Sequence, residues 1–412
     1  MGCFMANFCR LLCFCFLFFS FVFGARELAV ADDRQHAEEM NSLLPASKSF
    51  PNFTNEGSRS QLGQDQSKGR SVFSLPFEGP KLSLQKKPIG DDNYVVTVGF
   101  GTPKRDLTLM FDTGSSTTWI QCKPCMNCYD QEDPIFDPSQ SSTFSNSSHP
   151  YTQNYHDKSY ASGYFAYDTL TMATYEFKDF TFLCGHNNSG LFGAVAGVLG
   201  IGLSNDSLIS QTSGNFLRLF CYCLPPTEAS SGFLAFGITA ALTCLPRIST
   251  PLISDPDGFN RYFVNLVGIT IGQRTLQISS NDAASLRNTI IDSGTHITRL
   301  PATVYSELRS VFNEFMAKFP VAPRFGKMDT CYNLAGYDLS SVVPSMILHF
   351  DNSVDLNLDH DSVVLSESES QVCLAFAEDT ETIIGNHQQR NVNVLYDIID
   401  KKVGFSRGTC GS

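Results

Sequence analysis

A chain of 412 residues with 42% hydrophobic side chains can build a large core, divided between two lobes of ordinary domain size. Its formal net charge of −12 and its lack of a Lys/Arg cluster argue against nucleic acid and anionic membrane surfaces as partners. Phe 34, Tyr 14 and Gly 30 against one Trp point to a β-rich, turn-rich protein, because aromatics suit pleated surfaces and glycine suits tight turns.

The chain opens on MGCFMANFCRLLCFCFLFFSFVFGARE, where Arg10 precedes an apolar run from Leu11 to Phe23 closed by the small residues Gly24 and Ala25. This reads as a secretory signal peptide over residues 1–25. The run is short for a membrane span and no second one of spanning length follows. The expectation is a soluble monomer with no stable membrane insertion after signal cleavage, an uncleaved anchor being the alternative. A secretory route makes the ten cysteines beyond the signal candidates for disulfides, and Asn52, Asn146, Asn187 and Asn205 candidates for glycosylation. Residues 26–90 are polar, without a 2-residue or 3.6-residue apolar period, and read as a pro-segment or linker. The basic pair Lys86-Lys87 before Pro88 is either a processing mark or a solvated linker.

From DDNYVVTVGFGTP onward the chain changes to short apolar-alternating runs parted by glycine turns, among them LTLMF, TFLCG, GFLAFG, YFVNLVGITIG, SMILHF and VCLAFA. Regularly spaced short strands predict an all-β fold. One stretch differs. After Pro301, the residues Val304, Leu308, Val311, Phe312, Phe315, Met316 and Phe319 fall at helical spacing, which predicts an amphipathic helix over 301–319 with its apolar stripe in the core. The chain also repeats itself. NYVVTVGFG leading to LMFDTGSSTTWI is echoed by RYFVNLVGITIG leading to TIIDSGTHITRL, and AGVLGIG after the first acidic turn is echoed by ETIIGNHQQR after the second. Two lobes, at 91–247 and 248–412, each giving one acidic loop, are the simplest reading.

An aspartate at the end of a buried strand is costly unless donors or a shared proton stabilise it. Asp112 and Asp292 are therefore candidate partners. A single Asp-Thr/Ser-Gly is an ordinary turn; two copies, each after an apolar strand and before an apolar-apolar-Gly element, resemble the pepsin-like aspartic proteases. The stretches WIQCKPCMNCYDQEDPIFDPSQSSTFS, FCYCLPPTEASSGFLAFG, IIDSGTHITRLPATVYSELRSVF, DTCYNL and IIGNHQQRNVNVLYDIIDKKVGF look like the nepenthesin-like plant subgroup, over about residues 90–410.

The resemblance implies an all-β, bilobal, pepsin-like fold with a few short helices and a cleft between pseudo-twofold-related lobes. It implies an aspartic endopeptidase, made as a zymogen, that works without a cofactor or metal. Asp112 and Asp292 would share one proton and activate a water, which sets an acidic optimum. Gly114 and Gly294 would let the backbone aim N–H groups at the carboxylates; Thr113 and Ser293 would bond across to the opposite loop; Ser115 and Thr295 would support the outer oxygens. Tyr155 matches the tyrosine of the flap over substrate, and Trp119 its indole support. An extended peptide is the implied substrate, pepstatin-type compounds the implied inhibitors, and the extracellular space or the vacuole the implied location. Cys331–Cys373 and Cys184–Cys410 are the implied disulfides.

Departures from the subgroup are local. His156 and Lys158 stand where the flap usually carries glycines. Most of a cysteine-rich insertion is missing, with His149 where a cysteine is usual. Cys122, Cys125 and Cys128, at C-x2-C-x2-C spacing, thus lack some partners and suit either disulfides or a metal. Ser116 replaces Asp or Asn with a group that still bonds locally. His387 reads as a solvated or hydrogen-bonded loop histidine. The alternative to the enzyme is a proteolytically silent, xylanase-inhibitor-like binding protein.

Overall fold

Apolar residues at every second position pair into strands through most of this computed structural model, which describes residues 77–87, 93–246, 248–256, 258–368, 370–408 and 410. Strands β1 (Glu78–Lys87), β2 (Asn93–Phe100) and β3 (Arg105–Asp112) run antiparallel, burying Val96 and Val98 of β2 against Leu107, Leu109 and Phe111 of β3. After β4 (Trp119–Gln121), the meander β5 (Ser145–Asn154), β6 (Tyr160–Met172) and β7 (Tyr175–Ser189) leads to the short β8 (Gly197–Gly200). β9 (Leu219–Cys223) and β10 (Ser231–Phe236) then pair with each other. One 13-stranded sheet takes the order Ser249–Pro251, Lys402–Arg407, Val392–Asp397, β9, β10, β1, β2, β3, β8, β4, β7, β6, β5. Strands from the end of the chain thus share a sheet with those from its first half.

β1 lies in the stretch read from sequence as a linker. Leu82 and Leu84 are buried while Lys81, Ser83 and Gln85 face out, and two apolar residues are too few to lift a period of two above a polar background. The strand is enclosed on both sides, by β10 and by β2. The basic pair Lys86-Lys87 belongs to it, opposite Tyr94 and Asn93, and the Lys87 ammonium lies 2.7 Å from the Glu132 carboxylate.

The internal repeat has a topological counterpart. β3 runs parallel to β8, β8 antiparallel to β4, and β4 parallel to β7. In the second half Thr289–Ile291 runs parallel to Ile383–Ile384, which is antiparallel to Thr298–Leu300, which is parallel to Phe376–Glu378. In both halves a glycine ends the middle strand because it crosses the acidic loop closely. A Cβ on Gly200 would fall 2.5 Å from the Ser116 carbonyl oxygen, and one on Gly385 2.5 Å from that of His296.

The predicted helix spans Ala302–Met316, with Pro301 at its N-cap, and buries Val304, Tyr305, Leu308, Val311, Phe312 and Met316. Each such side chain stabilises by about 2 kcal/mol. Phe315 is partly exposed, and Phe319 is buried just past the last turn, so the helix is shorter than the apolar spacing suggests.

Five disulfides take up all ten cysteines beyond residue 25: Cys122–Cys184, Cys125–Cys128, Cys221–Cys244, Cys223–Cys410 and Cys331–Cys373. The Cys331–Cys373 pair agrees with expectation; Cys184–Cys410 does not. β4 lies parallel beside β7 and brings Cys122 next to Cys184, with Cα atoms 5.4 Å apart. Cys410 follows the strand Lys402–Arg407 and reaches Cys223 of β9 instead. All three sulfurs of the C-x2-C-x2-C run are in disulfides.

Candidate active site

β3 ends at Asp112, a residue only 6% exposed, and Thr289–Ile291 ends one residue before Asp292. Each strand then turns back on itself through a glycine whose N–H points at the preceding carboxylate. Gly114 N donates to Asp112 Oδ1 at 2.8 Å, and Gly294 N donates to Asp292 Oδ1 at 2.7 Å. The other oxygens accept from hydroxyls, Asp112 Oδ2 from Ser115 Oγ and Asp292 Oδ2 from Thr295 Oγ1. A Cβ on Gly114 would fall 2.5 Å from Asp292 Oδ1, so only glycine leaves room for the facing carboxylate.

The residues between lock the two loops together. Thr113 N donates to Ser293 Oγ at 3.0 Å and Ser293 N to Thr113 Oγ1 at 2.9 Å. Each hydroxyl also donates a hydrogen bond to a carbonyl of the opposite strand, Thr113 Oγ1 to Ile291 O and Ser293 Oγ to Phe111 O. Both residues are wholly buried, so four reciprocal bonds replace water completely. The carboxyl groups are near enough for the Asp292 charge to act on Asp112. Burial first, and the Asp292 charge second, push Asp112 up to about 7 against the lowering effect of its Ser115 and Gly114 donors.

Tyr155 lies in the turn between β5 and β6, over the same cleft. Its hydroxyl accepts from Trp119 Nε1 at 2.8 Å, and its ring packs edge-on against Phe192. Burial and the Asp112 charge hold that hydroxyl well above its ordinary pKa. The turn is tied by Asp157, whose carboxylate accepts from Ser159 N and Ser159 Oγ, and it forces Lys158 to a φ of 75°. His156 and Lys158 both line the cleft, as does His149, which stacks on Phe165. Ser116 accepts from Ser204 N at 3.2 Å, a partner distant in the chain where a local one was expected. The cleft has a volume of about 1450 Å³ and draws its walls from both halves of the chain.

A buried amide layer behind Asp292 escaped the sequence reading, which singled out only His387 from GNHQQR. Asn386 Nδ2 donates to Ser293 O, and Asn386 N donates to Thr295 O. Gln388 Oε1 accepts from Thr298 N and Oγ1. Gln389 Nε2 donates to Asp292 O and Ile384 O, while its Oε1 accepts from the buried hydroxyl of Tyr222 on β9. The signal available was three amides directly after an apolar-apolar-Gly strand, a poor composition for an exposed turn only if the turn is known to be buried. His387 is itself buried, 3.0 Å from Val364 O through Nε2, and burial and Arg390 hold its imidazole well below the ordinary value. Of the sequons, Asn146 and Asn205 are exposed, Asn187 is half-buried with its amide oxygen accepting from Asn127 and Tyr160, and Asn52 lies outside the described residues.

The xylanase inhibitor N-terminal family matches residues 94–149 and 145–238, and the xylanase inhibitor C-terminal family matches 261–407. Aspartyl protease AED1 of Arabidopsis thaliana is 42% identical over 85% of this chain and 81% of its own length. Aspartic proteinase nepenthesin-2 of Nepenthes gracilis is 33% identical over 78% of this chain and 79% of its own. The solved structure of conglutin gamma, a basic 7S globulin from lupine seeds, superposes with a TM-score of 0.65 at 18% identity, over 80% of this chain and 95% of that one, which speaks to fold alone.

Proposed function

We propose, from the premise that this chain belongs to the plant aspartyl protease family and is an aspartic-type endopeptidase, that Asp112 and Asp292 hydrolyse peptide bonds as a proton-sharing pair. One observation carries the reading: two aspartates face each other from loops cross-bonded through Thr113 and Ser293, each with one glycine N–H and one hydroxyl on its carboxylate. Proton sharing between facing carboxyls is a known pattern, applied here to these residues.

Asp112, raised by burial and by its neighbour's charge, holds the proton. Asp292 takes a proton from a water lying between them as that water's oxygen attacks the scissile carbonyl carbon, and Asp112 gives its proton to the carbonyl oxygen. The resulting gem-diol collapses when Asp292 returns its proton to the leaving amine and a diol proton goes back to Asp112. The fixed donors on each carboxylate hold both in line without reorganisation during the step. Because the cycle starts with one shared proton, activity falls as pH rises toward about 7, where Asp112 loses it.

An extended peptide would lie along the cleft under Tyr155, its backbone supplying affinity and its side chains specificity. The rest of the proposal is a signal peptide over 1–25, a pro-segment after it, and two lobes meeting near 247/248. It also has a monomer with pepstatin-type inhibition, no cofactor, and an extracellular or vacuolar location; among the described residues no helix is long and apolar enough to cross a membrane. The second reading, a silent binding protein, draws on Lys158, which at the flap tip occupies a backbone conformation suited to glycine.

The test is hydrolysis of a broad quenched-peptide library at about pH 4 with and without pepstatin, beside Asp112→Asn and Asp292→Asn. Pepstatin-sensitive cleavage abolished by both substitutions is the expected result. A folded protein that cleaves nothing would move the assignment to the silent binder.

A further inference from the structure

Beside the cleft, past the loop that carries Asp292, lies a second cavity of about 710 Å³. His296, Arg299 and Lys327 line both, so the two spaces adjoin. Four cations line the cavity, Lys86, Arg299, Lys327 and Arg390, against two carboxylates, Asp361 and Glu367. Asp379 is a further carboxylate in the adjoining cleft. In a chain whose net charge is −12 this is a local reversal of sign.

The cations come from distant parts of the chain and are differently held. Arg390 donates to the carbonyls of Asp361, His387 and Pro226, partners that fix a guanidinium without cancelling its charge. Arg299 is 8% exposed on the strand Thr298–Leu300, which stands beside the strand leading to Gly385. Lys327 is exposed, on the tight turn closed by hydrogen bonds between Phe325 and Met328, where cavity and cleft meet. His387 adds no charge, since burial keeps it neutral.

We propose that this cavity is a subsite for an acidic side chain, glutamate or aspartate, of the peptide held in the cleft. The proposal rests on the protease reading above. A peptide side chain fits the site better than a free anion does, because the cavity borders the cleft that holds the aspartate pair and shares His296, Arg299 and Lys327 with it. A carboxylate entering among Arg299, Lys327 and Arg390 gains ion-pair hydrogen bonds stronger than those of its uncharged amide analogue, which offers one carbonyl oxygen and no charge. The preference needs the substrate side chain ionised, so it grows as pH rises through about 4.3.

The experiment uses two matched quenched-peptide series at about pH 5.5, with Glu or Gln scanned through each position on either side of the scissile bond. At one position the Glu peptide is expected to be cleaved with kcat/KM about tenfold above its Gln counterpart, the ratio of one charge-assisted bond. In Lys327→Ala that ratio falls, and in Lys327→Glu it falls further; each ratio is internal to one protein sample and is insensitive to the amount folded. Equal cleavage of Glu and Gln peptides at every position, or a ratio unchanged in both variants, overturns the subsite while leaving the protease intact. Absence of hydrolysis in both series by folded wild-type protein overturns the protease reading and the subsite with it.

Discussion

Replacing Asp112 by Asn should make the protein more stable at neutral pH and slightly less stable in acid. Asp112 is raised from 3.8 to about 7 in the folded chain, so the native state binds its proton more tightly than the unfolded state does. That contribution to stability is complete below about 3.8 and is lost as pH climbs through about 7. At 1.36 kcal/mol per unit, the loss comes to about 4 kcal/mol. Asn carries no charge and removes this dependence, but its amide does not replace the carboxylate that accepts from Ser115 Oγ, a deficit of about 1 kcal/mol. The variant should therefore gain about 3 kcal/mol over wild type at about pH 7.5 and lose about 1 kcal/mol at about pH 3.5. Urea unfolding of the disulfide-intact proteins at the two pH values measures both numbers. A variant destabilised equally at both would refute the argument that burial and Asp292 hold this carboxyl protonated.

Three further outcomes are expected. Tyr155→Phe removes the acceptor of the Trp119 indole N–H, a bond of about 1 kcal/mol, and should cut kcat/KM about fivefold in the peptide assay while lowering the urea midpoint by the equivalent of about 1 kcal/mol. Lys158→Gly frees the flap turn from a φ of 75° and should stabilise by about 1 kcal/mol, read as a higher urea midpoint; no change would mean that the Asp157–Ser159 bonds fix the turn at no strain. Removal of β1 leaves the paired edges of β10 and β2 open, so the active chain should retain Glu78–Lys87, and N-terminal sequencing of acid-activated protein should begin before Glu78. A folded, active product starting after Lys87 would contradict this.

What could be read from sequence is what short stretches of chain dictate. Alternation in YVVTVGF and LTLMF specifies buried strands, the spacing after Pro301 specifies the helix, and an aspartate followed by hydroxyl and glycine at the end of such a strand specifies a tight acidic loop. Because the loop occurs twice in similar surroundings, even the facing of Asp112 and Asp292 was within reach. Tertiary structure decided everything that depends on distant segments meeting. Cys184 bonds Cys122 because β4 lies parallel to β7, which no cysteine spacing reveals. Glu78–Lys87 is a strand because β10 and β2 hold it on either side, although its own composition is that of a linker. Asn386, Gln388 and Gln389 read as a polar turn until burial makes each of their hydrogen bonds obligatory. Lys86, Arg299, Lys327 and Arg390 are scattered single charges in an acidic sequence, and they become one basic cavity only when the strands carrying them are packed, since charge interacts through space and not along the chain.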